Sequence, residues 1–177
     1  MPKNSISQIE KDEKKILEEL SKNANKSIND IAKTCHFSRQ KVWRVIKNLE
    51  KNNTIWGYKA VLENEKLNRK NYMMLIKRSN EPVTQKLLKD VTSRNIADEV
   101  REKGVEIECS MYTNGNYDWV ICFTSNDVKE AKWFMEYFNR LYEGFLSETN
   151  LIEVMFSAVR SGVRNPEIEK LNDFFKT

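Results

Sequence analysis

Residues 38–50 read SRQKVWRVIKNLE, and they decide the fold of the first third of the chain. Ser38 is a favourable helix N-cap, because its hydroxyl can accept a backbone N–H that has no partner in the first turn. The apolar residues that follow recur at helical spacing and predict a helix from residue 39 to about residue 52. These apolar residues are Val42, Val45, Ile46 and Leu49. They fall within about 100° of arc on a helix, so one side of the helix faces a core.

The other side of this helix is polar and mostly cationic. The residues on or beside it are Ser38, Arg39, Gln40, Arg44 and Lys47, flanked by Trp43 and Asn48. Arginine, lysine and amide side chains make the contacts that read base edges and phosphates in a DNA major groove. Trp43 can also contact DNA, although we favour its packing against the first helix of the chain. The alternative to a DNA-reading surface is a solvated basic face on an ordinary three-helix bundle.

Two shorter helical patterns precede this helix. The first runs from about Lys11 to Lys22, with its apolar residues on one stripe. The second begins after Ser27, which with Asp30 makes a start like a capping box. Ala32 is small enough to allow a close crossing of the second and third helices. Two short helices joined by the turn Cys35-His36-Phe37 predict a helix-turn-helix.

An extended segment is predicted after the third helix. Asn53 can take the left-handed conformation with which helices often end. Residues 54–62, TIWGYKAVL, are rich in β-forming side chains and predict a wing or a strand that leads to the next domain. Lys59 in this segment can touch backbone phosphate.

Charge is distributed unevenly along the chain. Residues 1–60 contain 13 Lys and Arg against 7 Asp and Glu, whereas residues 61–177 contain 17 against 19. The total of +4 therefore combines a basic first third with a slightly acidic remainder. Such a basic segment indicates a polyanion as partner, most often nucleic acid. A merely solvated lysine-rich surface is the alternative.

The bulk composition excludes several classes of protein. An apolar content of 40% over 177 residues is enough for compact cores. No apolar run is long enough to cross a membrane and no signal-peptide core follows Met1–Ser5, so we expect a soluble, cytoplasmic protein without a membrane partner. The three cysteines lack metal-type spacing, and only one adjoins the single histidine, His36. We therefore expect no metal site, no cofactor, no disulfide framework and no catalytic residues.

The remainder of the chain alternates between strand and helix patterns. Residues 63–70 are polar and predict a linker. The predicted elements after it are strand 72–77, helix 83–100 with a break at 93–95, strands 105–113 and 117–124, helix 126–143 and strand 151–159. Asn114-Gly115-Asn116 is a hairpin signal between the second and third strands. This β-α-β-β-α-β order predicts a ferredoxin-like α+β domain, with one sheet face that a second subunit could cover.

An extension follows the last predicted strand. Residues 160–164 predict a basic, flexible connector. Asn165-Pro166 then starts a short helix, with proline at the first helical position. Its apolar residues are Ile168, Leu171, Phe174 and Phe175. A helix this short must dock to be stable, and we favour docking on the protein's own core over docking on a partner subunit.

The first part of the chain resembles the Lrp/AsnC (feast/famine) family of regulators. The resemblance rests on residues in the family's order that end with the run Ile55-Trp56-Gly57-Tyr58. The earlier ones are Ile16, Leu17, Leu20, Ile31, Ala32, Ser38, Val42, Ile46, Leu49 and Glu50. The family usually has glycine where His36 and Asn53 stand. Both residues tolerate a positive φ angle, so we expect the same turns.

The later part resembles the RAM domain of the same family, which has this strand and helix order and pairs sheet to sheet in a dimer. Residues 115–118, GNYD, resemble its Gly-x-aromatic-Asp signature. The resemblance implies that Gly115, Tyr117 and Asp118 bind an effector such as an amino acid. The alternative is a structural turn, in which Gly115 supplies a positive φ and Asp118 accepts backbone hydrogen bonds.

The sequence thus predicts four segments. They are a winged helix-turn-helix DNA-binding domain at 1–62, a linker at 63–70, a ferredoxin-like dimerisation and effector domain at 71–160, and an extension at 161–177. The resemblance implies a sequence-specific transcriptional regulator that binds double-stranded DNA as a homodimer or a dimer of dimers, with an amino acid or another small molecule as effector. The alternatives are an architectural DNA-binding protein with little sequence preference and an enzyme related in fold to tetrapyrrole decarboxylases.

Overall fold

The computed structural model describes residues 6–176, which form two compact units, one ending at Ala60 and one beginning at Val61. The first contains α1 (Ile6–Lys22), α2 (Ile28–Cys35) and α3 (Arg39–Lys51). The second contains a 3₁₀ helix (Asn64–Leu67), β1 (Lys70–Arg78), α4 (Gln85–Ser93), α5 (Ile96–Arg101), β2 (Glu106–Tyr112), β3 (Trp119–Ser125), α6 (Val128–Leu141), β4 (Leu146–Val154), β5 (Val159–Arg160), β6 (Val163–Arg164) and a second 3₁₀ helix (Ile168–Phe174). No helix among these residues is long and apolar enough to cross a membrane. Met1–Ser5, on which the signal-peptide prediction falls, lies outside the described residues.

The predicted serine caps begin α2 and α3. Ser27 Oγ accepts the backbone N–H of Asp30 at 3.1 Å, and Ser38 Oγ accepts that of Lys41 at 3.2 Å. Each bond satisfies a donor that has no partner within the helix. The first helix starts at Ile6, more than a turn before its predicted start. The apolar pattern did not reveal these residues, because the charged run EKDEKK at 10–15 separates Ile6 and Ile9 from the stripe that begins at Ile16.

One apolar core holds the three helices together. Ile16 of α1, Ile31 of α2 and Val42 and Leu49 of α3 are almost completely buried in it. Ala32 is buried as well, in agreement with its predicted place where α2 and α3 pack closely. The predicted core face of α3 is therefore confirmed, and its position leaves the opposite face of the helix to solvent.

Two left-handed residues shape the turns of this unit. His36 has φ 56° and ψ 44°, and Asn53 has φ 59°, as expected for positions where the resembled family has glycine. Residues 54–63 form no strand, so the strand predicted at 54–62 is wrong. The described part of this unit contains no strand. Residues 54–60 therefore have no strand within the unit with which they could form a β ladder.

The second unit is a four-stranded antiparallel sheet in the order β2-β3-β1-β4. The side chains on one face of β1 and β3, including Met74 and Phe123, are buried against the helices. Phe134 and Phe138 of α6 are completely buried there, and Val100 of α5 joins them. The predicted ferredoxin-like α+β arrangement is confirmed, with its first crossover helix divided into α4 and α5 at the predicted break.

The last strand of the sheet was placed too late by the sequence pattern. It runs over Leu146–Val154 rather than 151–159, and Leu146 pairs with Arg78 at the far end of β1. This strand lies at an edge of the sheet, and its first half, LSETN, alternates poorly because few of its side chains are buried. Hydrophobic periodicity therefore revealed only its second half.

The predicted flexible connector at 160–164 is instead part of a small hairpin of β5 and β6. Its two turn residues, Ser161 and Gly162, have φ 48° and 78°, as a tight two-residue β-turn of this hand requires. The following helix is of the 3₁₀ type and begins at Ile168, after the predicted start at Pro166. None of its residues is buried, and Phe175 is 79% exposed, so the prediction that it seals the core is wrong.

One face of the sheet carries no helix of its own unit. Strand alternation puts Met73 and Leu75 of β1 on this open face, beside Val120 of β3. Met111 and Ile152 lie on the same face and are 46% and 43% exposed. The open face is therefore largely apolar, whereas Ile121 and Phe123 are buried on the helix side.

Replacing His36 by glycine should stabilise the first unit by about 0.5–1 kcal/mol, because glycine adopts a positive φ without the steric cost that a Cβ imposes. Amide hydrogen exchange within α1–α3 measures this unit separately from the sheet unit. Lys33→Gly, at an exposed right-handed position of α2, is the control and should destabilise the same amides by about 1 kcal/mol. Equal destabilisation by both substitutions would contradict strain at His36.

Candidate nucleic-acid interface

The outer face of α3 presents the predicted DNA-contacting side chains to solvent. Ser38, Arg39, Gln40, Trp43, Arg44 and Lys47 are all exposed. Arg39 and Arg44 form no ion pair with any described residue. Ser38 uses its oxygen to cap the helix, which leaves its hydroxyl hydrogen free to donate to a phosphate. Two uncompensated guanidinium groups and an amide thus lie on the exposed side of the first two turns of α3. Base edges and phosphates bind groups of this chemistry.

Lys41 serves the fold rather than this surface. Its Nζ lies 2.5 Å from Asp12 Oδ2 of α1 and 3.9 Å from the centre of the Phe37 ring. Asp12 is buried, and the hydrogen bond from Lys41 holds the pKa of this carboxyl below its ordinary value. The pair ties α1 to the first turn of α3. Its partners are 29 residues apart, so local spacing could not reveal it.

Lys47 is bound to a neighbouring carboxylate on its own helix. Lys47 Nζ lies 2.7 Å from Glu50 Oε2, and Tyr58 donates a hydrogen bond to Glu50 Oε1 at 3.1 Å. The bond from Lys47 lowers the pKa of Glu50, and the same bond raises the pKa of Lys47. The positive charge at Lys47 is therefore partly compensated, in contrast to the charges of Arg39 and Arg44.

Two tryptophans near this face are exposed. Trp43 is 54% exposed, so the favoured prediction that it packs against α1 is wrong. It lines a shallow depression together with Ile28, Ser38, Arg39, Gln40 and Arg44. Trp56 is 95% exposed in the segment after α3, where Lys59 is exposed as well. The sequence analysis used Trp56 only for the family resemblance and did not predict it as a site residue, although an aromatic residue beside a glycine in a linking segment is a signal that could have done so.

The loop between β2 and β3 holds the other predicted site residues. Asp118 Oδ2 accepts the backbone N–H of Arg78 at 2.8 Å, and Lys77 Nζ lies 5.4 Å from the centre of the Tyr117 ring. Gly115 does not have a positive φ, so the turn role proposed for it is wrong, while the structural role of Asp118 as an acceptor of a backbone bond is present. A Cβ at Gly115 would meet no atom within 4 Å.

A cavity of about 370 Å³ lies elsewhere in the second unit. It is lined by the segment before β1, by the end of β4 and by the residues that follow β4. Among the lining residues are Leu62, Phe156, Arg164 and Phe174. None of the three predicted effector residues lines it. The described residues contain no group of three or more His, Cys, Asp or Glu that could hold a metal ion.

Comparisons with known proteins agree with this architecture. Residues 13–55 match the family described as winged helix-turn-helix DNA-binding. No curated protein matches the sequence. An AsnC family transcriptional regulator from Agrobacterium tumefaciens is similar in structure, with a TM-score of 0.59 and 19% identity over 84% of this chain and 92% of its own.

Two further solved structures have the same arrangement. The leucine response regulatory protein of Mycobacterium tuberculosis has a TM-score of 0.65 and 13% identity, covering 85% of this chain and 94% of its own. A transcriptional regulator from Neisseria meningitidis, solved as a complex with L-Met, has a TM-score of 0.60 and 17% identity, covering 88% and 95%. The first unit thus has a helix-turn-helix that is similar, over residues 13–55, to the winged helix-turn-helix DNA-binding family. Over 84–88% of its length the chain is similar to the two-domain fold of Lrp/AsnC regulators, which confirms at the level of fold the resemblance predicted from the sequence.

Replacing Glu50 by glutamine should strengthen DNA binding, because it releases Lys47 and keeps an acceptor for Tyr58. The slope of log affinity against log salt should become steeper by about 0.9, the value for one additional phosphate contact. Anisotropy titrations of a labelled duplex at several salt concentrations measure the slope. Glu18→Gln removes an exposed carboxylate from α1 and should leave it unchanged. An unchanged slope for Glu50→Gln would exclude Lys47 from the phosphate contacts.

Proposed function

We propose that this protein is a site-specific DNA-binding transcriptional regulator that acts as a homodimer. The observation that carries the proposal is the outer face of α3. It combines exposed Arg39, Gln40 and Arg44 with no carboxylate partner for either arginine among the described residues. A face of this kind binds a polyanion strongly, and its rigid support on a buried core allows it to discriminate between base edges.

The chemistry of each side chain suggests its role in a major groove. Arg44 is suited to a bidentate contact with guanine, and Gln40 to one with adenine. Arg39, Ser38 and Lys47 are placed to contact phosphates, since they lie at the start and the flank of the same face. Lys59, in the exposed segment after α3, is suited to a phosphate contact as well.

The homodimer is proposed to form through the open face of the sheet. Met73, Leu75, Val120, Met111 and Ile152 make that face largely apolar, and a second copy would remove these side chains from water. Two-fold symmetry would present two α3 helices to successive major grooves, about 34–36 Å apart on a pseudo-palindromic site. Two such dimers could associate further into a tetramer.

A small-molecule effector is proposed to bind at the loop between β2 and β3, with an amino acid as the preferred class. Asp118, whose Oδ1 lies 3.9 Å from Arg78 Nε, offers a carboxylate for an ammonium group. Lys77, which lies beside Tyr117 and 2.9 Å from Glu148 Oε2, offers a cation that a ligand carboxylate would share with Glu148. Gly115 lacks a side chain and leaves room for a ligand to approach.

Amino acids titrated into the protein should shift the amide signals of residues 113–118, and Asp118→Asn should abolish the shifts. Unchanged amide signals in the wild-type protein would reject the loop as an effector site.

No catalytic role is proposed. The only histidine, His36, is exposed in the turn between α2 and α3, next to the residues proposed to contact DNA. Transcriptional control through DNA implies a location with the chromosome, and we propose the cytoplasm.

Selection from random duplexes tests this function directly. A site-specific regulator should enrich a two-fold-symmetric motif with half-sites about 10 base pairs apart. Salt-sensitive binding without a motif would favour an architectural protein that contacts only phosphates. Absence of binding would reject both.

Arg44→Ala should weaken binding to the selected duplex by about 1–3 kcal/mol, because a bidentate base contact is lost. Its affinity for random duplex should change little by comparison. Lys14→Ala, an exposed lysine of α1, is the control for a general loss of charge. An equal loss on selected and random DNA would make Arg44 a phosphate contact rather than a base contact.

Met111→Lys should dissociate the homodimer, because it places a charge within an apolar interface. Leu88→Lys on α4 is the matched control, since Leu88 is 45% exposed against 46% for Met111 but lies on the helix layer. Sedimentation velocity over a range of protein concentrations measures both. Dissociation by Leu88→Lys alone would place the interface on the helices instead.

A further inference from the structure

Trp43 creates an apolar site on a face that is otherwise made of donors. Its ring is 54% exposed, although an indole ring is large and gains much from burial. Ile28, at the start of α2, is half-buried beside the same shallow depression. The rest of the depression is lined by Ser38, Arg39, Gln40 and Arg44, so the apolar surface lies directly among the groups proposed to contact DNA.

The position of Trp43 on the helix places it between two cations. Arg39 lies one turn before it and Lys47 one turn after it, on the same side of α3. Contacts of these two residues with phosphates would bring the indole ring against the floor of the major groove. Along that floor, the polar edges of the bases match the arginines and Gln40, whereas one common group matches an apolar surface. That group is the C5-methyl of thymine.

We propose that Trp43, supported by Ile28, is a specificity-determining residue that binds the C5-methyl group of a thymine in each half-site. The inference rests on the proposed function, because it needs α3 in a major groove. Trp43 would add a requirement for thymine, which the cationic residues cannot impose. Arginine and glutamine recognise guanine and adenine by hydrogen bonds, and only an apolar surface distinguishes thymine from uracil, which differs by this methyl group alone.

Single replacement of each thymine by deoxyuridine in the selected duplex tests the inference without any change in the protein. One position in each half-site should lose affinity about fourfold, equivalent to about 0.8 kcal/mol for one buried methyl group. Thymine and deoxyuridine are the comparison used, because they differ only by the methyl group. 5-Methylcytosine paired with guanine would restore the methyl group, but it is not expected to rescue binding where a neighbouring side chain recognises the same base pair by hydrogen bonds. Anisotropy competition measures the ratio of the two affinities.

Two variants assign the effect to Trp43. Trp43→Ala should bind the thymine and deoxyuridine duplexes equally, whereas Trp43→Phe should keep most of the preference because the phenyl ring is also apolar. Trp56→Ala removes the other highly exposed tryptophan and should keep the full preference. Because Trp43 is exposed, its substitution should leave the melting temperature of the protein nearly unchanged.

The outcomes separate this inference from the proposed function. A selected site whose thymines can all be replaced by deoxyuridine without loss of affinity would overturn the role of Trp43 and leave the regulator intact. A preference for thymine that survives in Trp43→Ala would also overturn it. Failure of the wild-type protein to bind any selected site would overturn the function and the inference together.

Discussion

The packing of α3 against the other two helices is the constraint on which the proposed DNA surface depends. Val42 and Leu49 are buried against Ile16 and Ile31, and this contact fixes the rotation of α3 about its own axis. Because α3 packs through one face, its opposite face is exposed to solvent. The buried residues of α3 therefore determine the direction in which Arg44 points. The proposed DNA specificity therefore depends on apolar packing.

Ion pairs then divide the cations of the first unit into two groups. Lys41 is committed to the buried carboxylate of Asp12, and Lys47 is partly compensated by Glu50. Arg39 and Arg44 have no such partner among the described residues. These two arginines thus remain uncompensated on the exposed side of α3, where arginine gives directional contacts that lysine cannot.

Local signals predicted the parts of the fold that are determined locally. Ser38 predicted the start of α3, and residues 93–95 predicted the break between α4 and α5. Both features depend on residues that are neighbours in the sequence. The hairpin predicted at Asn114-Gly115-Asn116 is confirmed by the antiparallel pairing of β2 with β3, but its loop at 113–118 is longer than predicted. Its Asn-Gly pair favours a tight turn, but Asp118 bonds to β1 through Ile76 and Arg78 and holds a longer loop instead. The exposure of Trp43 depended on helix crossing angles, which the periodicity of one helix does not specify.

Amide chemical shifts, followed over the complete protein as duplex DNA is added, test directly whether the outer face of α3 contacts DNA. We expect the largest changes within residues 38–47, with smaller ones in the segment around Lys59. Changes confined to the sheet unit, with residues 38–47 unmoved, would contradict it.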